Sequence, residues 1–349
     1  MLFIEINNRR IGQHEPVFTI AEMSANHLQK LDLAIETIKA AKEAGADAIK
    51  LQTYTPDTIT IDSDNEYFQI KQGTLWDGQT LYQLYEKAYT PWEWHPKLKK
   101  IAEGLGLICF SSPFDKTAVD FLEKMNVPAY KVASFEITDI PLIEYIASKG
   151  KPVIMSTGIA TLSDIEEAVG ACKRMGNSQI ALLKCTSAYP APLEEINLKT
   201  IPDLAKKFET IVGLSDHTLG ISVPIAAVAL GACVIEKHFI LDRSLGGPDA
   251  AFSLEPDEFK AMVKGVREAG KALGKVSYEL TEKMKKSREL SRSLFVVEDI
   301  KAGKIFTDEN IRSIRPGYGL LPKCLNEVVG KKARKDIKRG TPLSWNLVE

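Results

Sequence analysis

The chain lacks most of the features that assign a function at a glance. Its five cysteines, Cys109, Cys172, Cys185, Cys233 and Cys324, include no CxxC pair, and an odd number argues against a disulfide framework or a zinc ribbon. Reduced thiols in the cytoplasm are therefore expected. No sign of charge dominates: 45 Lys and Arg stand against 46 Asp and Glu, a net −1. Nothing draws the whole chain toward nucleic acid or membrane. The longest apolar run, ISVPIAAVALGACVI at 221–235, is too short to span a bilayer and contains a proline. The opening MLFIEINNRRIG has no apolar stretch of signal-peptide length, so no signal peptide is expected. There is no GxGxxG after the first β-rich run and no Walker sequence, which removes the commonest nucleotide folds.

What is present is 44% hydrophobic and 26% charged, enough to bury a core, in 349 residues that suit one large domain and a small one. Short β-rich runs recur between helix-period segments: VFTIAE (17–22), ADAIKLQT (46–53), LICFSS (107–112), AYKVAS (129–134), PVIMST (152–157), IALLKCT (180–186), IVGLSD (211–216) and CVIEKHF (233–239). In LDLAIETIKAAKEAG (31–45), Leu31, Ala34, Ile35, Ile38 and Ala41 share one face. Gly45 and Gly176 stand where helices should stop. Such alternation implies parallel pairing through right-handed crossovers. Eight units predict an α/β fold, the (β/α)8 TIM barrel, rather than a doubly wound sheet. LFIEINNRRIG reads as a hairpin with Asn7 and Asn8 near its turn, plugging the barrel floor.

VSYELTEKMKKSREL (276–290) is charged and sparse in large apolar residues, and reads as a linker between a barrel domain at 1–275 and a second domain at 291–349. Beyond it FVVEDIKAGKIF, IRSIRPGYGLLP and KKARKDIKRGTPL are short strands broken by Gly and Pro, a small β-rich domain. EDIKAG and KDIKRG echo each other as pseudo-repeated turns. From Thr281 onward 16 Lys and Arg face 9 Asp and Glu, a net of +7 against −8 in the remainder. A basic tail can serve nucleic acid, but equally an acidic body or an anionic substrate, and this one lacks interleaved aromatics.

In a barrel of this kind chemistry lies at the C-terminal strand ends, and nearly every run ends in polar side chains. They are Glu22, then Asn26 and His27; Lys50 and Gln52; Ser111 and Ser112; Lys131, Ser134 and Glu136; Ser156 and Thr157; Lys184, Thr186, Ser187 and Tyr189; Ser215, Asp216 and His217; Glu236 and His238. Taken singly, each reads as well as a satisfied polar group. Lysines inside AIKLQT and AYKVAS differ, because a buried ammonium is costly unless paired. Two converging lysines and a ring of hydroxyls suit a small anion bearing phosphate or carboxylate. His217 and His238, 21 residues apart in GLSDHTLG and VIEKHF, are either two satisfied strand-end residues or the ligands of one divalent metal with open positions.

IAEMSANH, AIKLQTY, SSPFD, AYKVASFE, STGIAT, LKCTSAYPAP, GLSDHTLG and VIEKHF, in that order, resemble the motifs of the sialic acid synthase family from about residue 15 to the end. The tail, with RSL at 292–294, DIKAG, and RPG at 315–317, is similar to that family's C-terminal domain, an antifreeze-like SAF domain of β-clip type. The resemblance implies condensation of phosphoenolpyruvate with an N-acetylated amino sugar, giving a nine-carbon 3-deoxy-2-ulosonic acid and phosphate. It implies His217 and His238 as ligands of a divalent metal, Mn²⁺ or Mg²⁺. It places Lys50, Gln52, Ser112, Lys131, Ser134, Ser156 and Ser215 around phosphoenolpyruvate, with Ser187 where some members have Asn. It puts Glu22, Glu136, Tyr189 and Asp249 near the sugar or the attacking water, with Glu22, Glu136 and Lys131 as catalytic groups. It implies a homodimer in which Arg315 reaches the partner's sugar, and no nucleic-acid or membrane partner.

Within that family, GTLWDGQTLYQLYEKAYTPWEW (73–94) is most similar to the branch that forms pseudaminic acid, and the asparagine used there by neuraminate-forming members has no clear counterpart. The expected sugar is therefore a 2,4-diacetamido-2,4,6-trideoxy hexose of the altrose series, with the neuraminate or legionaminate precursor as the alternative. Most of Trp76, Tyr82, Tyr85, Tyr89, Trp92 and Trp94 should pack this loop, and a few should line the sugar site. A carboxylate between lysines, Glu22 or Glu136, should stay ionised as base. A Schiff-base aldolase using Lys131 or Lys184 is a distinct enzyme reading. An ice- or carbohydrate-binding protein would leave eight polar strand ends unexplained.

Overall fold

A computed structural model describes residues 2–71 and 73–349. The chain divides into two compact units, Met1–Gly274 and Lys275–Glu349. In the first, β1 (Phe3–Ile6) and β2 (Arg9–Gly12) form an antiparallel hairpin. Asn7 and Asn8 make its two-residue turn with φ of 50° and 63°, a left-handed conformation that asparagine tolerates. Eight parallel strands follow: β3 (Phe18–Glu22), β4 (Ala48–Thr53), β5 (Ile108–Pro113), β6 (Tyr130–Val132), β7 (Val153–Ser156), β8 (Ile180–Cys185), β9 (Ile211–Asp216) and β10 (Val234–His238). They close in sequence order, with β10 pairing β3. Each of the eight runs read from the sequence is a barrel strand, and the TIM barrel is the fold.

Side chains alternate between the two faces of each strand. Phe18 and Ile20, Ala48, Ile108 and Phe110, Ile154, Ala181 and Leu183, and Val234 point inward and fill the lower barrel. Ile4, Ile6 and Ile11 of the hairpin join the same buried cluster, so the hairpin does plug the floor. Outward residues such as Ile49, Val132, Met155 and Leu214 meet the helical shell. The helix Leu31–Glu43 shows why that shell forms: Ala34, Thr37, Ile38 and Ala41 make one buried stripe, with Leu31 and Ile35 at its margin. Gly45 and Gly176 follow their helices with φ of 89° and 73°.

The excursion from β4 to β5 carries the helices Pro56–Ile59, Leu81–Ala88 and His95–Gly104. Thr80 and Gln83 start the second with a reciprocal capping box. His95 Nε2 lies 3.0 Å from Thr53 Oγ1 and 3.2 Å from the Gln52 carbonyl, which pins the end of the excursion to the outer face of β4. Among the described residues no helix is long and apolar enough to cross a membrane.

In the second unit β11 (Ser293–Val296) pairs antiparallel with β12 (Ile311–Ile314). Leu294, Val296, Ile300, Phe306, Ile311, Ile337 and Leu343 are among the residues of its own core. The echoed turns are related by exchange. Asp299 accepts from Lys338 and the Arg339 amide at 2.8 and 2.9 Å, while Asp336 accepts from Lys301 and the Ala302 amide at 2.7 and 2.9 Å. Ile300 and Ile337 exchange backbone hydrogen bonds between them at 2.9 and 2.8 Å. The stretch expected as a plain linker holds a helix, Glu282–Arg288, capped by Thr281 with Glu282 in its first turn and Lys285, Lys286 and Arg288 in its last. Those charges complement the helix dipole and account for its forming without a buried face.

Candidate active site

The alternation that fills the barrel floor with apolar groups brings polar ones inward one layer higher. Glu22 and Lys50 form an ion pair, their side chains 1% and 4% exposed. Lys50 also donates to Ser112 Oγ at 3.3 Å and lies 3.8 Å from Glu236 Oε1. Lys131 reaches the same oxygen at 3.9 Å and donates to Ser156 Oγ at 2.6 Å. Ser215 donates to Glu236 Oε1 at 3.0 Å. Gln52 donates to Glu22 Oε1 at 3.2 Å and to Ser24 Oγ at 2.9 Å. Two ammoniums and two carboxylates thus share a nearly dry layer, where each charge alone would be prohibitive.

Their ionisation follows from who touches whom. Burial alone would lower the Lys50 ammonium, but Glu22 and Glu236 raise it above its ordinary value. Lys131 is lowered, burial outweighing the pull of Glu236. Burial would raise Glu236, but Lys131 and Lys50 hold it below the usual carboxylate range. Burial pushes Glu22 up to about 7, against the opposing effect of Lys50. It pushes Glu136 up to about 7 as well. Of the two carboxylates expected to stay ionised between lysines, Glu22 pairs with Lys50 alone. Glu236 takes that place because it meets both ammoniums, whereas Glu136 forms no ion pair among the described residues.

Beside this layer the imidazoles of His217 and His238 face each other with ring centroids 5.3 Å apart. His217 Nδ1 is 3.0 Å from the Thr186 carbonyl; donating there leaves Nε2 with a free lone pair. His238 is held well below its ordinary value by burial and by the neighbouring His217, so its ring is neutral. It therefore makes no ion pair with Asp249, 3.8 Å away, and its buried Nδ1 has no hydrogen-bond partner. Burial alone would lower His217, but Cys185 and the Thr186 carbonyl raise it above its ordinary value, so this ring must give up a proton before the pair can hold a divalent metal through its unused nitrogens. Among the described residues no third His, Cys, Asp or Glu completes a metal-binding cluster with them. Glu136 Oε2 and Glu236 Oε2 are also buried without partners, as expected of atoms that await a ligand.

The rim is shaped by small residues. Ser134 Oγ lies 2.7 Å from Ser187 Oγ and accepts from the Ile159 amide at 3.1 Å. A Cβ on Gly158 would fall 2.2 Å from Ser187 Oγ and 2.5 Å from Ser134 Oγ, so only glycine leaves this cradle open. Tyr189 stacks at 4.4 Å from the His217 ring and 5.1 Å from Phe252. Of the loop aromatics, Trp76 lies 5.5 Å from Tyr189 and donates to the Pro248 carbonyl at 2.9 Å. Trp92 packs on Phe121, Trp94 on His27 and Tyr85 on Tyr54, while Tyr82 bonds Asp57 at the surface. Trp92, Trp94 and Tyr85 thus pack the loop, as expected of part of the set.

The structure thus gathers Glu22, Lys50, Gln52, Ser112, Lys131, Ser156, Ser215, His217 and His238 at the C-terminal mouth of the barrel. Ser134, Ser187, Tyr189 and Asp249 stand at its edge, and Glu136 on the turn after β6. Arg315 belongs to the second unit, just after β12. Lys184 alternates with inward Leu183 and Cys185; it projects outward and bonds Thr186 Oγ1 at 3.1 Å. Glu236, Cys185 and Gly158 received no role from the sequence. Strict alternation from His238 would have found Glu236, and alternation from Leu183 would have found Cys185, whose Sγ lies 3.8 Å from His217 Nδ1. Nothing local marks Gly158, because its constraint comes from two other strand ends.

Comparison with known proteins agrees with this fold. The family model described as the NeuB family matches residues 37–278, and the SAF domain matches 291–349. The chain is 53% identical to the pseudaminic acid synthase of Campylobacter jejuni over 94% of its own length and 95% of that protein. It is 48% identical to the pseudaminic acid synthase of Helicobacter pylori over 96% and 98%. Among solved structures, the N-acetylneuraminic acid (sialic acid) synthetase of Leptospira borgpetersenii in complex with citrate superimposes with a TM-score of 0.73 at 34% identity, covering 82% of this chain and 94% of that one.

Gly158→Ala is the sharpest probe of the cradle. The added methyl should separate Ser134 from Ser187 and weaken binding of inorganic phosphate by at least about tenfold, roughly one to two hydrogen bonds to an anion. Calorimetric titration reads this directly; unchanged affinity in a folded variant would place the anion elsewhere.

Proposed function

We propose that this chain, which belongs to the NeuB family, is a pseudaminic acid synthase: it condenses phosphoenolpyruvate with 2,4-diacetamido-2,4,6-trideoxy-β-L-altropyranose and water, giving pseudaminic acid and phosphate. The observation that carries this reading is the near-full-length likeness to the Campylobacter protein, joined to a cavity whose residues suit that chemistry.

Lys50 and Lys131, with Ser112, Ser156 and Ser215 between them, hold the carboxylate and phosphate of phosphoenolpyruvate. Preorganised charges of this kind are typically worth about 3 kcal/mol each. Ser134, Ser187 and Gln52 complete the cradle. His217 and His238 would hold a divalent ion, Mn²⁺ or Mg²⁺, which would supply Lewis acidity to the open-chain sugar. C3 of phosphoenolpyruvate bonds to the sugar's C1, and the carbonyl oxygen takes up a proton. Water adds at C2 and gives up a proton, and the C2–O bond to phosphate then breaks as the new C2 hydroxyl becomes the ketone and its proton goes to the departing phosphate. Glu22 and Glu136, both near 7, can each exchange a proton close to neutral pH, and so serve as base toward water or as acid and base in ring opening. Glu236 stays ionised, which fixes the two ammoniums.

Trp76 and Tyr189 form an apolar wall suited to a deoxy methyl and an acetamido methyl. N-acetylmannosamine presents hydroxyls instead, and an unpaired buried hydroxyl costs roughly 1–3 kcal/mol. With phosphoenolpyruvate and Mn²⁺, phosphate release should favour the diacetamido sugar at least about a hundredfold in kcat/KM. EDTA should abolish it. Equal use of N-acetylmannosamine would replace the substrate with the neuraminate precursor. Full activity in chelator, with borohydride trapping at Lys131, would replace the mechanism with that of a Schiff-base aldolase.

We further propose that residues 276–290 link a barrel domain at 1–275 to a domain at 291–349, and that two chains pair so that the basic tail of each covers the other's barrel mouth, with Arg315 near the sugar. Phe135, Ile159, Leu193, Leu219 and Leu245 are exposed on the loops around the mouth, which suits burial by a partner. The five unpaired cysteines support a reducing, cytoplasmic setting. Mixing Arg315→Ala chains with Lys131→Ala chains should restore part of the native turnover, since one site in each mixed dimer keeps both residues. Mixed dimers as inactive as their parents would exclude sharing between subunits.

A further inference from the structure

Behind the cavity wall lies an ion pair that the chemistry above does not use. Lys237 and Asp216 are the last Cα partners of the β9–β10 seam. By strand alternation they point away from the cavity, because their neighbours Ser215 and Glu236 bond each other inside it. Both side chains are 0% exposed. Lys237 donates to Asp216 and to the Thr218 carbonyl. Asp216 in turn accepts from the Thr218 amide at 3.0 Å and from the Thr218 hydroxyl at 3.1 Å.

A buried pair of this sort is no clear gain in stability, since apolar groups of the same shape commonly do as well. What it supplies here is geometry. His217 lies between Asp216 and Thr218, both bonded to one ammonium. That ammonium belongs to the residue between Glu236 and His238. The backbone on both sides of His217 is therefore tied to the strand that carries His238, at the point where the β-ladder ends and the two chains would otherwise diverge.

We propose that Lys237 and Asp216 are positioning residues that set the separation of His217 and His238. The inference rests on the proposed metal role of those two histidines. Groups that orient metal ligands from behind commonly change metal affinity 10–100-fold when removed. Loss of the clamp should act on the metal and leave the Lys50–Lys131 anion site in place.

The test uses the full chain carrying Asp216→Asn with Lys237→Met, which removes both charges together and keeps an acceptor for the Thr218 amide. Mn²⁺ binding is followed by the electron paramagnetic resonance signal of the free ion, phosphoenolpyruvate binding by calorimetry, and folding by thermal melting. The expected result is cooperative melting within about 4 °C of the native protein, Mn²⁺ affinity down by about 10–100-fold, and phosphoenolpyruvate affinity within about twofold. Native Mn²⁺ affinity in the double variant would overturn the inference alone, as would an equal loss of both ligands, which marks general loosening. A native protein that takes up no Mn²⁺ would overturn the metal reading and this inference with it. Thr218→Val, which removes only the hydroxyl contact, serves if the double variant does not fold. It should weaken Mn²⁺ by about fivefold, and unchanged affinity there would also count against the clamp.

Discussion

The mutual neutralisation of Lys50, Lys131, Glu22 and Glu236 is the constraint on which the rest of the barrel depends. These charges stand directly above a layer of Phe, Ile, Leu and Ala side chains that admits no competing polar partner. None of the four can be removed alone without leaving an uncompensated charge in a dry interior, a loss commonly of about 3–5 kcal/mol. The inward positions near the mouth are thereby restricted to hydroxyls, amides and small residues that complete the network. In the proposed function the same network receives an anion. Two ammoniums already fixed in place meet a phosphate or carboxylate with little reorganisation.

Around that layer the other features divide the labour. The hairpin seals the floor with Ile4, Ile6 and Ile11. The excursion after β4, pinned by His95 at its end, brings Trp76 toward Tyr189. The β9–β10 seam carries both imidazoles on its inner side and the Lys237–Asp216 pair on its outer side. Acidity is graded by contact: Glu236, touching two ammoniums, is held ionised, while Glu22 and Glu136 rise to about 7 and can exchange protons.

Much of this was legible in the sequence, because the barrel obeys two local periodicities. Each strand declared itself as a short β-rich run ending in polar residues, and lysines inside AIKLQT and AYKVAS marked buried charge before any partner was known. The hairpin turn at Asn7 and Asn8 was legible for the same local reason. Pairings between strand ends were not. Glu236 could be seen at a strand end but not as the bridge between two lysines, since that depends on three strands converging. Gly158 was invisible because its constraint comes from Ser134 and Ser187, far along the chain. Nor did a charged segment betray the helix Glu282–Arg288, whose signals are a cap and a dipole rather than an apolar stripe.

The central claim is that the paired ammoniums form the phosphoenolpyruvate site. Its most direct measurement is the affinity of the Lys131→Met protein for phosphoenolpyruvate by calorimetry, against the native protein at the same ionic strength. Lys131 makes its contacts inside the cavity, with Ser156 and Glu236, and Met fills nearly the same volume. The account predicts a loss of at least about thirtyfold, the lower end for removing one partner of a buried charged contact. Native affinity in the folded variant would contradict it.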